Sequence, residues 1–546
     1  MSKKKTRAAT FKPYNPDQLS LLPPSLEELI PSHHVVRVVR QIIDQIDISA
    51  VLAKYKGGGA SSFHPKVLLS ILIYGYLNNI YSSRKLEQAV QSNIYFMWLC
   101  GMQRPDHNTI NRFRSEKLKG VLKEIFAQVV LLMADEGLVN IKQLYVDGTK
   151  LEANANTYTF VWGKAIKRNK ERIKKQLEEL WSYAEGVAKE ELLDNAPSTY
   201  EELDAEKVSQ TIDRINEALK DKPVDKQVKQ KLNYAKKNWP KNLDKYKKQQ
   251  DILGDRNSYS KTDSDATFMR MKDDHMRNGQ LKAAYNWQIS TSQQYIVNYG
   301  IYQDATDFYT LSDHLNQYEQ LYGQSPEVLV ADAGYGSEEN YEYLAKKNIE
   351  SFVKYPGFHK EQKAKGKIKP NEVFLAKHLY YDEQQDYFIC PMGQKMTKRY
   401  EKETIKKSGY IQRASVYQAQ NCSTCPLRGA CHKSKTERII QVNHNLNEHR
   451  QKARAKLVSE QGQAHRSQRP ADVEAVFGNI KQNKKFTRFY LRGKHKVLIE
   501  VGLLALAHNL AKMAKQKANN GKDVVLNSQD GSESILQDFK LGYHPN

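Results

Sequence analysis

The sequence predicts an α/β protein with several domains, and three observations support this prediction. Apolar residues recur at helical spacing through the first 135 residues, short strand-like runs occupy the middle of the chain, and an apolar helical run covers residues 497–513. With 546 residues the chain is long enough for roughly three or four domains. Its 40% hydrophobic and 10% aromatic residues suffice for real cores, which excludes wholesale disorder.

The charge balance favours a polyanionic partner. The chain carries 85 Lys and Arg against 62 Asp and Glu, a net charge of +23, and nucleic acid is the commonest partner of such a protein. A basic protein without such a partner remains an alternative interpretation of the charge alone. The most apolar stretch, residues 67–77, is too short to span a bilayer, and no apolar run follows the basic start of the chain. We therefore expect a soluble cytoplasmic protein with no membrane partner.

The first 135 residues predict a helical domain. Helical runs at 35–48 and 66–77 are separated by the glycine-rich segment 56–59. Two short helices, a glycine-containing turn and a basic polar helix then resemble a helix-turn-helix, which would place three cations on DNA: Arg112, Arg114 and Lys117. A solvated basic face on a helical bundle explains these residues equally well.

Strand-like runs and a helical insertion make up the middle of the chain. Residues 141–146 predict a strand that ends at Asp147, residues 283–290 and 295–302 a hairpin, and residues 328–331 a strand that ends at Asp332. The Lys- and Glu-rich region 158–257 predicts helices, with breaks near two prolines, Pro197 and Pro240. We expect the aromatic residues at its start to pack in a core: Tyr158, Phe160 and Trp162.

Three carboxylates are candidate metal ligands: Asp147, Asp332 and Glu474. The two aspartates end strand-like runs, where a sheet can hold them facing a cleft. Glu474 lies at the edge of an apolar stripe on a helix predicted to start near Pro470, the stripe being Val473, Val476, Phe477 and Ile480. Oxygen ligands from separate elements suit two Mg²⁺ ions. Taken singly, each acid is more simply a surface carboxylate or turn cap, and spacing alone does not assemble them.

Separated sequence blocks, in order along the chain, resemble the bacterial insertion-sequence transposases of the DDE class. The resemblance is to the branch related to insertion sequences five and eleven-eighty-two. It is carried by residues 14–23, 82–87, 105–110, 146–150, 261–266, 331–335, 473–481, 492–493 and 509–510.

The resemblance implies an RNase H-like catalytic core, a mixed sheet flanked by helices, formed by residues 136–157, 258–355 and 462–515. Around it we expect a helical DNA-binding domain at 1–135, a helical insertion at 158–257 and a cysteine-containing insertion at 356–461. The tail 516–546, rich in Asn, Gly, Ser and Asp, is expected to be disordered.

The resemblance also implies the chemistry. The three carboxylates would hold two Mg²⁺ ions, for which Mn²⁺ can substitute. These ions would support cleavage of the element ends and strand transfer into double-stranded target DNA. The active form would be a homodimer on paired ends, associated with the bacterial nucleoid. The positions of the family's usual Tyr and Arg hold Ser467 and Pro470, so either Arg466 or Arg469 would contact the scissile phosphate. Asp263 and Asp265 are interpreted as a structural turn. An inactive DNA-binding relative, or a nuclease that cuts without joining, is the alternative.

A basic segment follows Glu474. Residues 481–496 contain seven Lys or Arg and no acid, which favours phosphate contacts by Lys481, Lys484, Lys485, Arg488 and Arg492. The interleaved aromatic residues suit base stacking or core packing equally well: Phe486, Phe489 and Tyr490.

Four of the five cysteines predict a structural Zn²⁺ site: Cys390, Cys422, Cys425 and Cys431. A Cys-x-x-Cys pair, a third cysteine six residues on and a distant cysteine before a glycine turn can supply a tetrahedral set of ligands. His432 can replace one of them. Reduced thiols without a metal are the alternative, and Cys100, in an apolar context, is expected to be a buried hydrophobic residue.

Overall fold

The structure is a computed structural model that describes residues 25–55, 61–188, 204–271, 279–364 and 372–519. The sequence block 14–23, the segment 56–59, the predicted break near Pro197 and the tail from residue 520 onward lie outside these ranges. The fold is α/β, as predicted: helices flank a six-stranded mixed sheet, and a five-stranded antiparallel sheet follows in the chain.

Helices form the N-terminal region, as predicted. Their bounds are Val35–Gln45 (α1), Ser49–Leu52 (α2), Pro65–Leu77 (α3), Ser83–Ser92 (α4), Ile94–Leu99 (α5), His107–Arg112 (α6) and Leu122–Asp135 (α7), with a π-helical turn at Phe113–Lys117. The start of α6 is fixed by Asp106, whose side chain accepts a hydrogen bond from the Thr109 amide at 2.8 Å. Because α3 is almost entirely buried, it is the central helix of this region.

Two of the three cations predicted to contact DNA here are held by the protein instead. Arg114 is only 3% exposed, and it donates to the Tyr81 carbonyl at 2.7 Å and to the Tyr76 hydroxyl at 3.2 Å. Lys117 is half-buried and donates to the Lys54 carbonyl at 2.5 Å. Arg112 is exposed. A buried guanidinium needs such acceptors, so Arg114 stabilises the helical domain and cannot reach a DNA phosphate.

The central sheet has the order β4-β5-β1-β7-β8, with β6 paired to β5. Its strands are Gln143–Glu152 (β1), Thr267–Arg270 (β4), Leu281–Ser292 (β5), Tyr295–Tyr302 (β6), Val328–Ala331 (β7) and Glu350–Val353 (β8). Strand β1 is antiparallel to β5 and parallel to β7, and β7 is parallel to β8. The predicted hairpin is confirmed as β5 and β6. Strand β1 continues past Asp147 to Glu152 because β5 pairs with it along that length.

Helices cover this sheet and complete its core. On the way through the sheet the chain forms Leu311–Tyr322, Glu338–Lys346 and Phe358–Ala364, and after the second sheet it forms His444–Val458, Glu460–Arg469, Ala475–Gly478 and Lys494–Asn519. The last helix continues four residues beyond the predicted start of the tail. It is long and apolar enough to cross a membrane, but 83% of its apolar window is buried in the protein. Asn509 of this helix exchanges two hydrogen bonds with the backbone of Ile296 in β6.

The region between β1 and β4 is a helical insertion, as predicted. A short ladder of Phe160–Trp162 (β2) and Ser258–Ser260 (β3) closes its base, and its helices are Gly163–Val187 (α8), Ala205–Ala218 (α9) and Lys226–Leu253 (α10). Pro240 lies inside α10, so the predicted break there is wrong. Trp239 and Leu243 are buried on either side of it, and this packing outweighs the one backbone hydrogen bond that proline cannot donate.

We expected Tyr158 and Phe160, at the start of the insertion, to pack in a core. This expectation is wrong for both, because Tyr158 is 86% exposed and Phe160 is 45% exposed. Trp162 is half-buried and lies edge-on to Phe160. The ladder of β2 and β3 is too narrow to cover these rings.

The cysteine-containing region folds as a separate small sheet with the order β13-β12-β11-β10-β9. Its strands are Tyr381–Asp382 (β9), Tyr387–Ile389 (β10), Lys395–Ile405 (β11), Ile411–Gln418 (β12) and Ile439–Val442 (β13). Only a few side chains form its core, among them Phe388, Met396 and Tyr417. Such a core stabilises a sheet of this size weakly.

We predict a pH-dependent stability from Glu500, a fully buried carboxyl between the helical domain and the basic segment. It accepts hydrogen bonds from the Tyr490 and Leu491 amides, both at 3.0 Å, yet burial raises its pKa to about 7. The folded state therefore holds this proton more tightly than the unfolded state. Stability should fall as pH rises from about 4.5 to 7 and level off above that range.

Glu500→Gln should flatten this part of the profile, because the amide does not titrate. Thermal melting of both proteins from pH 5 to 8 checks it. Parallel profiles for the two proteins would contradict the prediction.

Candidate active site

The two aspartates are brought together by strand register. In the parallel pair of β1 and β7, Val146 lies opposite Ala331. The next residues are Asp147 and Asp332, so the two carboxylates lie side by side at the carboxyl edge of the sheet. Asp147 is 8% exposed, and Asp332 accepts a hydrogen bond from the Gly334 amide at 2.8 Å.

A lysine that the sequence reasoning missed extends the same edge. Ala331 lies opposite Val353 in β8, so Lys354 follows in the position next to Asp332, and its amide donates to the Ala331 carbonyl at 3.3 Å. Burial lowers the pKa of Lys354, as do the nearby Arg469 and Arg466, against the opposite effect of Asp332 and Glu474. The sequence feature that could have indicated Lys354 is a short apolar run, Phe352-Val353, followed by a charged residue.

Arg469 connects the sheet to the third carboxylate. It is 5% exposed, its Nη2 lies 3.1 Å from Asp147 Oδ1, and its Nη1 lies 2.7 Å from Glu474 Oε1. The Glu474 side chain is 53% exposed, so it lies at the open side of the site. The guanidinium of Arg466 instead lies over the Phe358 ring, 5.2 Å from the ring centroid. Of the two arginines left open by the sequence, Arg469 is therefore the one between the carboxylates.

The helix that carries Glu474 begins earlier than predicted. It runs without a break from Glu460, through π-helical turns at Pro470–Glu474 and Asn479–Asn483. Pro470 lies inside it, where the widened turn accommodates the missing backbone donor. The apolar stripe is buried as predicted: Val473, Val476, Phe477 and Ile480.

A second missed residue, Asp472, fixes this helix on the sheet. It is 1% exposed and accepts hydrogen bonds from Thr291 Oγ1 at 2.6 Å and from the Gln294 amide at 3.1 Å. Because Asp472 is two residues from Glu474, these bonds set the position of that carboxylate relative to β5.

A fourth carboxylate, Asp307, lies behind the aspartate pair. Its Oδ1 accepts from Asn286 Nδ2 and Gln288 Nε2, both at 2.7 Å. A Cβ atom on Gly148 would lie 2.8 Å from Asp307 Oδ1, and one on Gly334 would lie 3.2 Å from Asp307 Oδ2. Because these two glycines have no side chains, the Asp307 carboxylate can lie against them. The sequence feature that could have indicated a buried partner such as Asp307 is the alternation of polar residues along strand β5.

The donor set is suited to hard cations, since it consists of carboxylate oxygens from three elements. Across the described ranges, however, no three His, Cys, Asp or Glu side chains are arranged as a ready metal-binding group. Arg469 supplies the positive charge among the carboxylates.

The basic segment is divided between structural and exposed cations. Lys484 is 7% exposed and donates to the Leu77 carbonyl at 3.3 Å, and burial lowers its pKa to about 8. It is therefore not available to DNA. Arg488 and Arg492 are exposed but are anchored to the backbone after β1, and Lys485 is exposed.

Core packing, one of the two predicted roles of the aromatic residues here, is confirmed for Phe486 and Phe489, which are 0% and 2% exposed. Tyr490 is 49% exposed. Asp263 is buried, and it accepts hydrogen bonds from the Tyr285 hydroxyl at 2.8 Å and from the Asp265 amide at 3.3 Å.

The four cysteines of the second sheet line one small cavity, together with His432 and Arg438. Arg438 is 6% exposed, and its Nη1 lies 2.9 Å from Cys431 Sγ. Cys100 lies far from them in the sequence and is buried, as expected.

A mixed sheet that presents paired aspartates to a glutamate on a helix is consistent with an enzyme that acts on phosphodiesters. Residues 389–514, which include Glu474, match the family described as "Transposase DDE domain", and residues 24–116 match "Transposase domain (DUF772)". Both matches are to transposase families, and together they support a DDE transposase of the bacterial insertion-sequence kind. A search of curated proteins found no match.

We predict that Gly148→Ala lowers the stability of the protein. The new Cβ would lie 2.1 Å from Gln288 Nε2 and 2.8 Å from Asp307 Oδ1, in a packed polar network. The cost should be about 1–3 kcal/mol. Thermal melting of the variant and the parent measures this effect.

The matched control is Gly186→Ala in α8, where nothing lies within 4 Å of the added Cβ. It should be neutral or stabilising, because alanine favours a helix. Equal melting temperatures for the two variants would refute the close packing of Gly148.

Proposed function

We propose that this transposase binds the ends of its insertion sequence, cuts DNA there in a Mg²⁺-dependent reaction and joins the freed ends to target DNA. The observation that carries the proposal is the strand register that sets Asp147 beside Asp332, with Arg469 linking Asp147 to Glu474. We further propose an RNase H-like core and the branch related to insertion sequences five and eleven-eighty-two, on the sequence blocks described above.

Asp147, Asp332 and Glu474 would hold two Mg²⁺ ions, for which Mn²⁺ can substitute. When bound, such ions activate the attacking oxygen and stabilise the leaving oxygen of a phosphodiester. Asp472 would help to position Glu474, because it bonds their shared helix to β5, and Asp307 packs against Gly148 and Gly334 beside the two aspartates. Strand register holds the two aspartates next to each other, and such positioning would be the protein's main contribution to the reaction.

The cations around the site would hold the substrate. Arg469 and Lys354 lie nearest the carboxylates, with Arg466 beside them. We propose that Arg466 or Arg469 contacts the scissile phosphate: Arg469 lies between the carboxylates, and Arg466 is the more exposed of the two. Further from the site, DNA contacts are proposed for Arg112, Lys481, Lys485, Arg488 and Arg492. A homodimer on paired ends, acting in the bacterial cytoplasm at the nucleoid, completes the proposal.

Asp147→Asn should reduce cleavage at least a thousandfold while leaving end binding nearly intact, because the amide removes a charged ligand but keeps the shape of the side chain. The assay uses the full chain and labelled DNA that carries the genomic flanks of its own gene, with Mg²⁺, Mn²⁺ or EDTA. Asp44→Asn, at an exposed acid on α1, is the matched control and should cleave normally.

The products decide between the proposal and its alternatives. Nicks at fixed end positions together with joined products support a transposase. Cleavage without joining favours a nuclease of the same fold, and specific binding without cleavage favours an inactive relative. Cleavage retained by Asp147→Asn would remove that residue from the site.

We propose that the cysteine-lined cavity binds one structural Zn²⁺ through Cys390, Cys422, Cys425 and Cys431. The supports are the convergence of four of the five cysteines on one cavity and the weak core around them. Four thiolates around Zn²⁺ carry excess negative charge, and the buried Arg438 beside Cys431 can balance part of it. A structural metal would stabilise this small sheet.

Metal analysis of the purified full chain should find one Zn²⁺ per chain, lost in Cys425→Ser and kept in Cys100→Ala. The melting temperature of Cys425→Ser should fall with the loss of metal. Wild-type protein without zinc, with four accessible thiols that react with Ellman's reagent, would establish the alternative of unliganded cysteines.

A further inference from the structure

The helical insertion has two parts, one near the catalytic core and one far from it. Helices α8 and α10 run antiparallel: Lys170 Nζ lies 2.5 Å from Gln250 Oε1, and Lys231 Nζ lies 2.9 Å from Glu179 Oε2. The first pair lies near the catalytic core and the second far from it. We call residues 163–176 and 236–253 the stem, and residues 177–187, 205–218 and 226–235 the tip.

Charge is segregated between these two parts. The stem contains thirteen Lys and Arg against three Asp and Glu, whereas the tip contains five against six. The stem thus supplies an excess of ten positive charges to a chain whose net charge is +23. A solvated Lys- and Glu-rich face would balance its charges, as the tip does.

Most stem cations are exposed, and few of them have an acidic partner among the described residues. Exposed examples are Lys164, Arg168 and Lys175 on α8 and Lys241, Lys245 and Lys248 on α10. In the described part of the chain, one salt bridge joins a stem cation to an acid: Lys236 Nζ lies 2.8 Å from Asp213 Oδ1. Holding so many unpaired cations close together costs stability through repulsion, which an anionic partner would relieve.

The stem is continuous with the active-site side of the molecule. Strand β1, which carries Asp147, leads into the insertion, and the backbone after it is contacted by the basic segment. Arg488 Nη2 lies 2.8 Å from the Ala155 carbonyl, and Arg492 Nε lies 2.8 Å from the Asn154 carbonyl. Two arginines of the basic segment therefore lie against the backbone that joins the strand of Asp147 to the insertion.

We propose that the stem binds the phosphate backbone of duplex DNA without reading its sequence. A helix of fourteen residues is about 21 Å long, which corresponds to about six base pairs of duplex. Lysines and arginines on straight helices make point contacts with phosphates and present no fixed pattern to base edges. The proposal deepens the proposed function by adding a second DNA contact, but its test does not depend on cleavage.

The test measures binding to a 30–40 base-pair duplex of random sequence by fluorescence anisotropy at 50–200 mM NaCl, with the full chain in the Asp147→Asn background. The stem variant is Lys164→Gln, Arg168→Gln, Lys241→Gln and Lys245→Gln. The tip control is Lys207→Gln, Arg214→Gln, Lys226→Gln and Lys229→Gln, which removes the same charge.

The stem variant should bind at least tenfold more weakly at 100 mM NaCl, with the slope of log affinity against log salt reduced by about two to three, since each phosphate contact contributes about 0.9. The tip control should bind like the parent. Equal losses in both, or no loss in the stem variant, would overturn the proposal. If the stem variant melts early, a second set at other exposed stem positions repeats the test: Lys167→Gln, Arg172→Gln, Lys237→Gln and Lys248→Gln.

Discussion

The contact of Arg469 with two carboxylates is the interaction on which the site depends. Carboxylates that converge on one place repel each other, and the repulsion is strongest where the protein excludes water. A guanidinium that is 5% exposed, bonded to Asp147 and Glu474, offsets this repulsion and joins the sheet to the helix. Its planar group donates in two directions at once, which a lysine cannot do with the same geometry.

The rest of the core fixes the two sides of that contact. Parallel pairing of β1 with β7 sets Asp147 beside Asp332, while Asp472 bonds the helix to β5. Asp307 closes the site from behind, through amide groups of Asn286 and Gln288. Polar side chains buried in a sheet are tolerated when each finds a partner, and here the partners also hold the carboxylates in place.

The positive charge of the chain has two different uses. Some cations are buried and stabilise the fold: Arg114 bonds Tyr81 and Tyr76, and Lys484 bonds the Leu77 carbonyl. Others are exposed, above all in the stem of the insertion, where acids are scarce. Net charge alone does not separate the two uses, because burial and hydrogen bonding decide whether a cation can meet a phosphate.

The sequence by itself determined the α/β class, the helical insertion, the hairpin and the buried stripe beside Glu474, because each follows from local periodicity. It also identified Asp147 and Asp332 as candidates, because each follows a strand-like apolar run, although β1 continues past Asp147. Only the tertiary structure decided that the two aspartates are neighbours, that Arg469 rather than Arg466 lies between carboxylates, and that Lys354, Asp307 and Asp472 belong to the site. Strand register and helix docking join residues more than a hundred positions apart, and no local pattern encodes such contacts. For the same reason, Pro240 and Pro470 lie inside helices that local rules would end.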